Sequence, residues 1–339
     1  MKRRQLNIKN KHQIRAGAFL LFTLLSSAVS LTGCGGGSSD VSTSASTSTS
    51  ATVVVPVTNA AAAIVNTANI LCSLAYSAFN STPSVNATST SNWSCNSTTR
   101  SLAANGLPDH VVGTFPNANN PNAITAQNVT AALRLTPVKS ATTTQRGGPS
   151  GDTGYVLNGV KVDAATAGTC SNTGGASCGL TNNTGPWSIE ALGQTAFNFG
   201  TDTNNAHVQP NGAYHYHGVP EGFVAKQGRG VAMTLIGWAA DGFPIYARYG
   251  YSAASDASSA IKVMTSSYKL KASPGANRPS TTTYAMGTFS QDYEYLAGSG
   301  DLDECNGRTG VTPEFPAGTY HYFATDTYPY LQRCIKGTL

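Results

Sequence analysis

The sequence predicts a mostly β protein: a sandwich- or barrel-like domain with a short N-terminal helix, stabilised by disulfides. Three observations predict this class. First, no long helical period recurs after Gly106. Short apolar or aromatic runs (Val111–Phe115, Tyr155–Val162, Val231–Trp238, Ile245–Tyr249, Tyr320–Ala324) stand between clusters of Gly, Pro and Asn instead, the pattern of strands separated by turns. Second, the chain holds 15 tyrosines, a residue that suits pleated surfaces. Third, of its seven cysteines six remain once Cys34 is set aside, and an even number in an exported chain reads as disulfides. Nearest-neighbour pairing gives Cys72 with Cys95, Cys170 with Cys178, and Cys305 with Cys334; six cysteines allow fifteen connectivities in all.

The elements follow in chain order. Residues 1–15 are basic, and Ala16 to Leu31 is apolar, about the length of a signal-peptide core and shorter than the ~20 residues of a membrane span. The stretch ends Leu31-Thr32-Gly33-Cys34, which resembles a bacterial lipobox. This reading places cleavage before Cys34 and a lipid on its sulfur, so residues 1–33 are a lipoprotein signal peptide. The partner is then a membrane, reached through the anchor at Cys34. The alternative is a plain signal peptide cut near Ala28 or Ser30. Gly35, rather than an acid, follows Cys34, which favours the outer membrane in a Gram-negative host, facing either periplasm or surface. Besides Cys34 and Val41, residues 34–52 are Gly, Ser, Thr and Ala with one charge, Asp40. They have too little apolar surface to offset their ordering entropy and read as a tether.

Residues 53–104 read as a helical and loop region. The helix is placed over 59–79, where Ala is frequent and Ile64, Ile70, Leu71, Leu74 and Phe79 follow a loose 3.6-residue period. Residues 80–101 read as a loop pinned back by Cys72–Cys95. Residues 105–339 form the main domain. Within it, Asn158-Gly159 marks a hairpin turn, and Trp187 and Trp238 are assigned to the core.

Charge narrows the function. The formal net charge is +5, but six of the 21 Lys and Arg lie in the first fifteen residues and all 16 acids come later. Without that leader the balance is 15 − 16 = −1. The basicity therefore belongs to targeting, and no nucleic-acid partner is expected. HExxH, P-loop and dinucleotide fingerprints are absent from the sequence, as is any CxxC.

The chemistry concentrates in two similar segments. Pro210-Asn-Gly212-Ala-Tyr214-His215-Tyr216-His217 and Pro316-Ala-Gly318-Thr-Tyr320-His321-Tyr322-Phe323 both fit P-x-G-x-Y-H-Y. In each, a Pro/Gly turn precedes a short strand. Alternate residues of a strand share a face, so His215 and His217 point together, opposite Tyr214 and Tyr216. Two such imidazoles can reach one metal ion, and copper and zinc are the expected metals. His321 of the twin strand is expected as the third ligand and His207 as a further one. The competing reading is structural: histidines held in hydrogen-bond networks. His110 is a weaker candidate.

Asp241 follows the Trp238 run and precedes a Gly-Phe-Pro turn. It reads either as a turn cap or as a ligand, a partner to a ligating histidine, or a general base; it is the candidate catalytic residue. Glu190 and Glu221 are lesser candidates. Asp301, Asp303 and Glu304 form an acidic cluster, a weak candidate for calcium against a solvated loop.

AYHYHG, GWAADGFPIYARYGY and DLDECNGR…TPEFPAGTYHYF together resemble the bacterial YHYH proteins, over about Asn105 to Lys336. The resemblance puts His215, His217, Asp241 and His321 within the family's signature and implies an exported protein, but no reaction. Three functions therefore compete: a metal-binding module of the cell envelope, a metal-dependent exported enzyme (a hydrolase, or a copper oxidase or oxygenase), and a surface adhesin or glycan binder whose histidines are scaffolding.

Overall fold

The computed structural model describes residues 71–339 apart from 182 and 183. The expected leader, the expected anchor Cys34, the expected tether and positions 59–70 of the expected helix lie outside the described residues. The strands in chain order begin with β1 (Ser73–Asn80), β2 (Ala87–Cys95), β3 (Thr99–Ala104), β4 (Val129–Arg134), β5 (Lys139–Gln145), β6 (Gly154–Val156) and β7 (Lys161–Val162). There follow β8 (Thr169–Cys170), β9 (Cys178–Gly179), β10 (Trp187–Ser188), β11 (Ala206–Val208) and β12 (Tyr214–Tyr216). After helix α1 (Glu221–Gln227) come β13 (Thr234–Ala239), β14 (Pro244–Ala247), β15 (Tyr249–Tyr251), β16 (Ile261–Val263), β17 (Tyr268–Leu270) and β18 (Tyr293–Tyr295). The last are β19 (Gly307–Gly310), β20 (Thr319–Ala324) and β21 (Cys334–Gly337).

The mostly β class holds. The centre is an eight-stranded mixed sheet in the order β11-β12-β7-β6-β13-β14-β20-β19. Its middle strands are buried on both faces: every residue of β13 and β14 is buried, and Trp238, Ile236, Ile245 and Tyr246 are fully so. The expected hairpin is present, with β6 and β7 antiparallel around Asn158-Gly159. The three disulfides are Cys72–Cys95, Cys170–Cys178 and Cys305–Cys334, as nearest-neighbour pairing predicts. Trp187 and Trp238 are both in the core.

The N-terminal helix is corrected in part. Ser73–Asn80 is a strand, and β1 to β4 form a four-stranded antiparallel sheet. Leu74 and Ala78 face the core while Ser73, Ala75, Ser77 and Phe79 face out, a period of two that the alanines disguised. Pairing of β1 along its whole length with β2 outweighs the helix propensity of alanine, a weak local preference. The segment expected to be a loop, residues 80–101, likewise contains β2 and the start of β3. The four-stranded sheet spans position 105, because β3 pairs with β4.

This sheet is seated on the central one. Trp93, fully buried, donates its indole N–H to the Leu157 carbonyl at 2.9 Å, and Ser91 donates to the same oxygen at 2.7 Å. At the contact, Gly159 adopts φ +84°, and a Cβ there would stand 2.3 Å from the Cβ of Ala104. Gly159→Ala is therefore expected to destabilise the fold by at least about 1–2 kcal/mol from the left-handed backbone alone, with the collision added. Urea unfolding checks this; an unchanged midpoint would mean the two sheets are not in tight apposition there.

Candidate metal centre

A hairpin builds the site. Pro210-Asn211-Gly212 turns the chain, with Gly212 at φ +85°, a conformation that costs glycine little. Gly212 donates its N–H to the Gln209 carbonyl at 2.8 Å, and Gln209 donates to Ala213 at 3.0 Å. The turn sets the register of β11 on β12: His207 stands opposite His215, Ala206 opposite Tyr216 and Val208 opposite Tyr214. Directly opposed residues share a face of the sheet, and His217 stands two residues beyond His215. Three imidazoles therefore meet on one face.

Their geometry is that of a ligand set. The ring centroids are 4.6 Å apart for His207–His215, 4.7 Å for His207–His217 and 4.6 Å for His215–His217. One nitrogen from each lies within 4.8 Å of the others. The Nε2 atoms of His207 and His217 are 3.0 Å apart. Two nitrogens bound at 2.0–2.1 Å to one tetrahedral ion lie about 3.3–3.4 Å apart, so little movement separates this arrangement from coordination.

The hydrogen bonds prepare the same nitrogens. His207 Nδ1 donates to the Phe199 carbonyl at 3.0 Å and His215 Nδ1 to the Ala213 carbonyl at 3.3 Å. Each bond leaves the Nε2 lone pair of its ring free. His217 Nε2 then has to direct its proton at His207 Nε2, while its buried Nδ1 has no hydrogen-bond partner. Buried polar atoms are rarely left so.

His215 and His217 are buried and His207 partly so. Burial, and for all but His207 the neighbouring imidazoles, hold the ring pKa values down: below the usual value for His207 and well below it for His215 and His217. Neutral imidazole is the form that binds metal. The three rings line a cleft of about 680 Å³ with Phe199, Leu180 and Pro210 among its apolar walls. The triad can hold a metal ion, at the wall of this cleft.

The opposite face of β12 is anchored by the tyrosines. Tyr214 donates to Asp202 Oδ2 at 2.7 Å. The Tyr216 hydroxyl is 2.6 Å from His110 Nε2 and accepts from Asn158 at 3.2 Å. His110 thus lies behind the strand, outside the triad.

The expected third ligand is corrected. His321 lies on β20, and β7, β6, β13 and β14 stand between that strand and β12. Five inter-strand spacings are on the order of 24 Å along the sheet. His321 donates from Nδ1 to the Thr319 carbonyl at 3.1 Å and packs against Tyr246 and Phe323. Burial lowers its pKa to about 4, so it is a neutral core histidine.

Asp241 is also apart from the triad, in the turn between β13 and β14. It accepts from Tyr322 at 2.5 Å, from the Gly337 N–H at 2.8 Å and from the Phe243 N–H at 3.2 Å. The second YHY strand and the turn cap thus form one structural unit, the cap reading of Asp241. Burial raises the Asp241 pKa against these hydrogen bonds.

The other carboxylates are engaged elsewhere. Glu190 pairs with Arg333 at 2.6 Å and Glu221 with Arg248. Asp301 pairs with Lys262 at 2.8 Å, Asp303 accepts from Tyr320 at 3.0 Å, and Glu304 pairs with Lys336. The acidic cluster therefore splits among separate partners, and among the described residues the histidine triad is the group fit for an ion.

Asp163 was not among the residues singled out from sequence. It follows β7, which pairs in parallel with β12: His215 is opposite Lys161 and Tyr216 opposite Val162. One step on, Asp163 stands beside His217, its N–H donating to the Tyr216 carbonyl at 3.0 Å. Its carboxylate lines the same cleft.

The family profile described as YHYH protein matches residues 130–337, more than half of the chain. The chain belongs to the YHYH protein family. The match contains the triad, Asp163, Asp241 and His321 and leaves out His110 and the sheet strands β1 to β3. It begins later than the span expected from Asn105. No curated protein and no solved structure matches the chain.

Proposed function

We propose that this YHYH protein is a metal-binding module of the cell envelope, holding one transition-metal ion with His207, His215 and His217. The observation that carries this reading is the convergence of three neutral imidazoles, one nitrogen each within 4.8 Å of the others. Three nitrogen donors of borderline softness suit zinc or copper. The ion would be held by the β11–β12 hairpin alone, so the second YHY strand has no share in it.

The leader and Leu31-Thr-Gly-Cys34 support an exported protein tethered to the envelope by lipid on Cys34, at the outer membrane in a Gram-negative host. One observation favours the second reading, a metal-dependent enzyme. The triad opens onto a cleft of about 680 Å³, and catalytic sites keep a coordination position for water or substrate where storage sites close it.

The test is metal content. Protein purified without chelator and offered copper or zinc is expected to retain about one ion per chain by plasma mass spectrometry. Isothermal titration then gives the affinity of the stripped protein for each metal. No retention of either ion would overturn the reading and leave the histidines as scaffolding.

A further inference from the structure

Above the triad lies a pair of side chains that metal binding does not itself use. Gln209 belongs to the β11 side of β12 and Asp163 to the β7 side, because β11 and β7 flank β12. Yet Gln209 Nε2 donates to Asp163 Oδ2 at 3.4 Å. The two side chains therefore span the face on which His215 and His217 stand. The Asp163 Oδ1 atom is held by the Gly148 N–H at 2.6 Å. Its Oδ2 makes two long contacts, the one to Gln209 and one of 3.8 Å to Lys161 Nζ, an ammonium paired more closely with Asp152 at 3.0 Å; the Ala165 N–H also bonds the carboxylate.

The charge of the cleft is simple. Among the described residues lining it, Asp163 is the one acid and no Lys or Arg is present. The remaining polar walls are neutral amides and hydroxyls, such as Asn119, Asn122 and Thr166. Asp163 is itself buried, so its field acts through little water. It lies outside the set of atoms that converge on an ion, but lines the same cleft as the three rings.

We infer that Asp163, braced by Gly148 and Gln209, governs the fourth coordination position, so that it takes a neutral hydrogen-bond donor such as water, an alcohol or an amide and turns away anions. This inference rests on the metal reading above. A neutral ligand's O–H or N–H donates to Asp163 Oδ2 while its lone pair meets the ion. An anion finds a carboxylate across the cleft, while the nearest cations, Lys161 and Arg333, are paired more closely with Asp152 and Glu190.

The experiment uses cobalt(II), whose visible bands report its coordination, and azide as the anionic probe. Cobalt-loaded protein and the Asp163→Asn variant are titrated with azide at neutral pH. The variant is expected to bind cobalt as the unsubstituted protein does and to bind azide about tenfold more tightly or better, since one nearby charge is removed. Asp163→Ser, which removes the same charge with a smaller side chain, serves if the Asn variant does not fold. Equal azide affinity overturns the inference while leaving the triad standing. Loss of cobalt in folded variants overturns it too, by making Asp163 a ligand. Failure of the unsubstituted protein to bind cobalt overturns both this inference and the metal reading.

Discussion

His207→Ala is expected to lower metal affinity by roughly 100- to 1,000-fold, and His321→Ala to leave it unchanged. The first figure follows from the energy of structural zinc sites, ~10–16 kcal/mol shared by four ligands, of which the triad supplies three. His215→Ala and His217→Ala are expected to match His207→Ala, because the three rings are nearly equidistant. The His321 result discriminates most sharply. From sequence, that residue is the natural third ligand by its motif; in the fold it packs on Tyr246 and Phe323, with four strands between it and β12. Competition titrations against a chromophoric chelator measure all four variants. Loss of affinity in His321→Ala with a native melting curve would mean that the ion sits elsewhere.

The second large effect concerns stability. Arg278 and Asp292 form a buried pair, with side chains 1% and 0% exposed. Two guanidinium nitrogens donate to the two carboxylate oxygens, at 2.6 and 2.7 Å. Arg278 also donates to the carbonyls of Pro279, Tyr284 and Ala285. Asp292 also accepts the N–H groups of Gly287 and Phe289. The pair thus closes the segment between β17 and β18 and carries Phe289 into the smaller core with Trp187 and Ile189.

Removing one partner leaves a charge buried without its counterion. Arg278→Ala is therefore expected to cost about 3–5 kcal/mol. The double change Arg278→Met with Asp292→Leu removes both charges and is expected to cost less than Arg278→Ala alone. Urea unfolding of the three proteins decides the matter. A loss under about 1 kcal/mol for Arg278→Ala would show that water reaches Asp292 and replaces its partner.

Parts of the candidate site were legible because they are local. Strand alternation puts His215 and His217 on one face whatever the rest of the chain does. The third member of the triad was legible in principle as well. His207 and His215 lie four residues on either side of Asn211, within a Pro-Asn-Gly turn, and a hairpin about that centre pairs them. The resemblance of the two YHY segments outweighed this signal and pointed to His321. Asp163 left no such trace, because a lone acid after a two-residue strand has no spacing relation to the histidines. The strand at Ser73–Asn80 was misread for a different reason: its alanines favour a helix in isolation, and only pairing with β2 reverses that preference.

The sequence by itself determined the mostly β class, the three disulfides, the hairpin at Asn158-Gly159, the shared face of His215 and His217, and membership of the YHYH family. Each follows from turn chemistry, the period of a strand, short separations along the chain or a contiguous motif. The tertiary structure alone decided which strand lies beside which. It placed the two YHY strands at different positions in one eight-stranded sheet, made His207 rather than His321 the third member of the cluster, and brought Asp163 to the edge of the triad. The order of strands in a mixed sheet is set by packing between residues far apart in sequence, such as Trp93 against Leu157 and Tyr322 against Asp241. Two segments of the same pattern can therefore carry different burdens: one lines a cleft with histidines, and the other buries its histidine among aromatic rings.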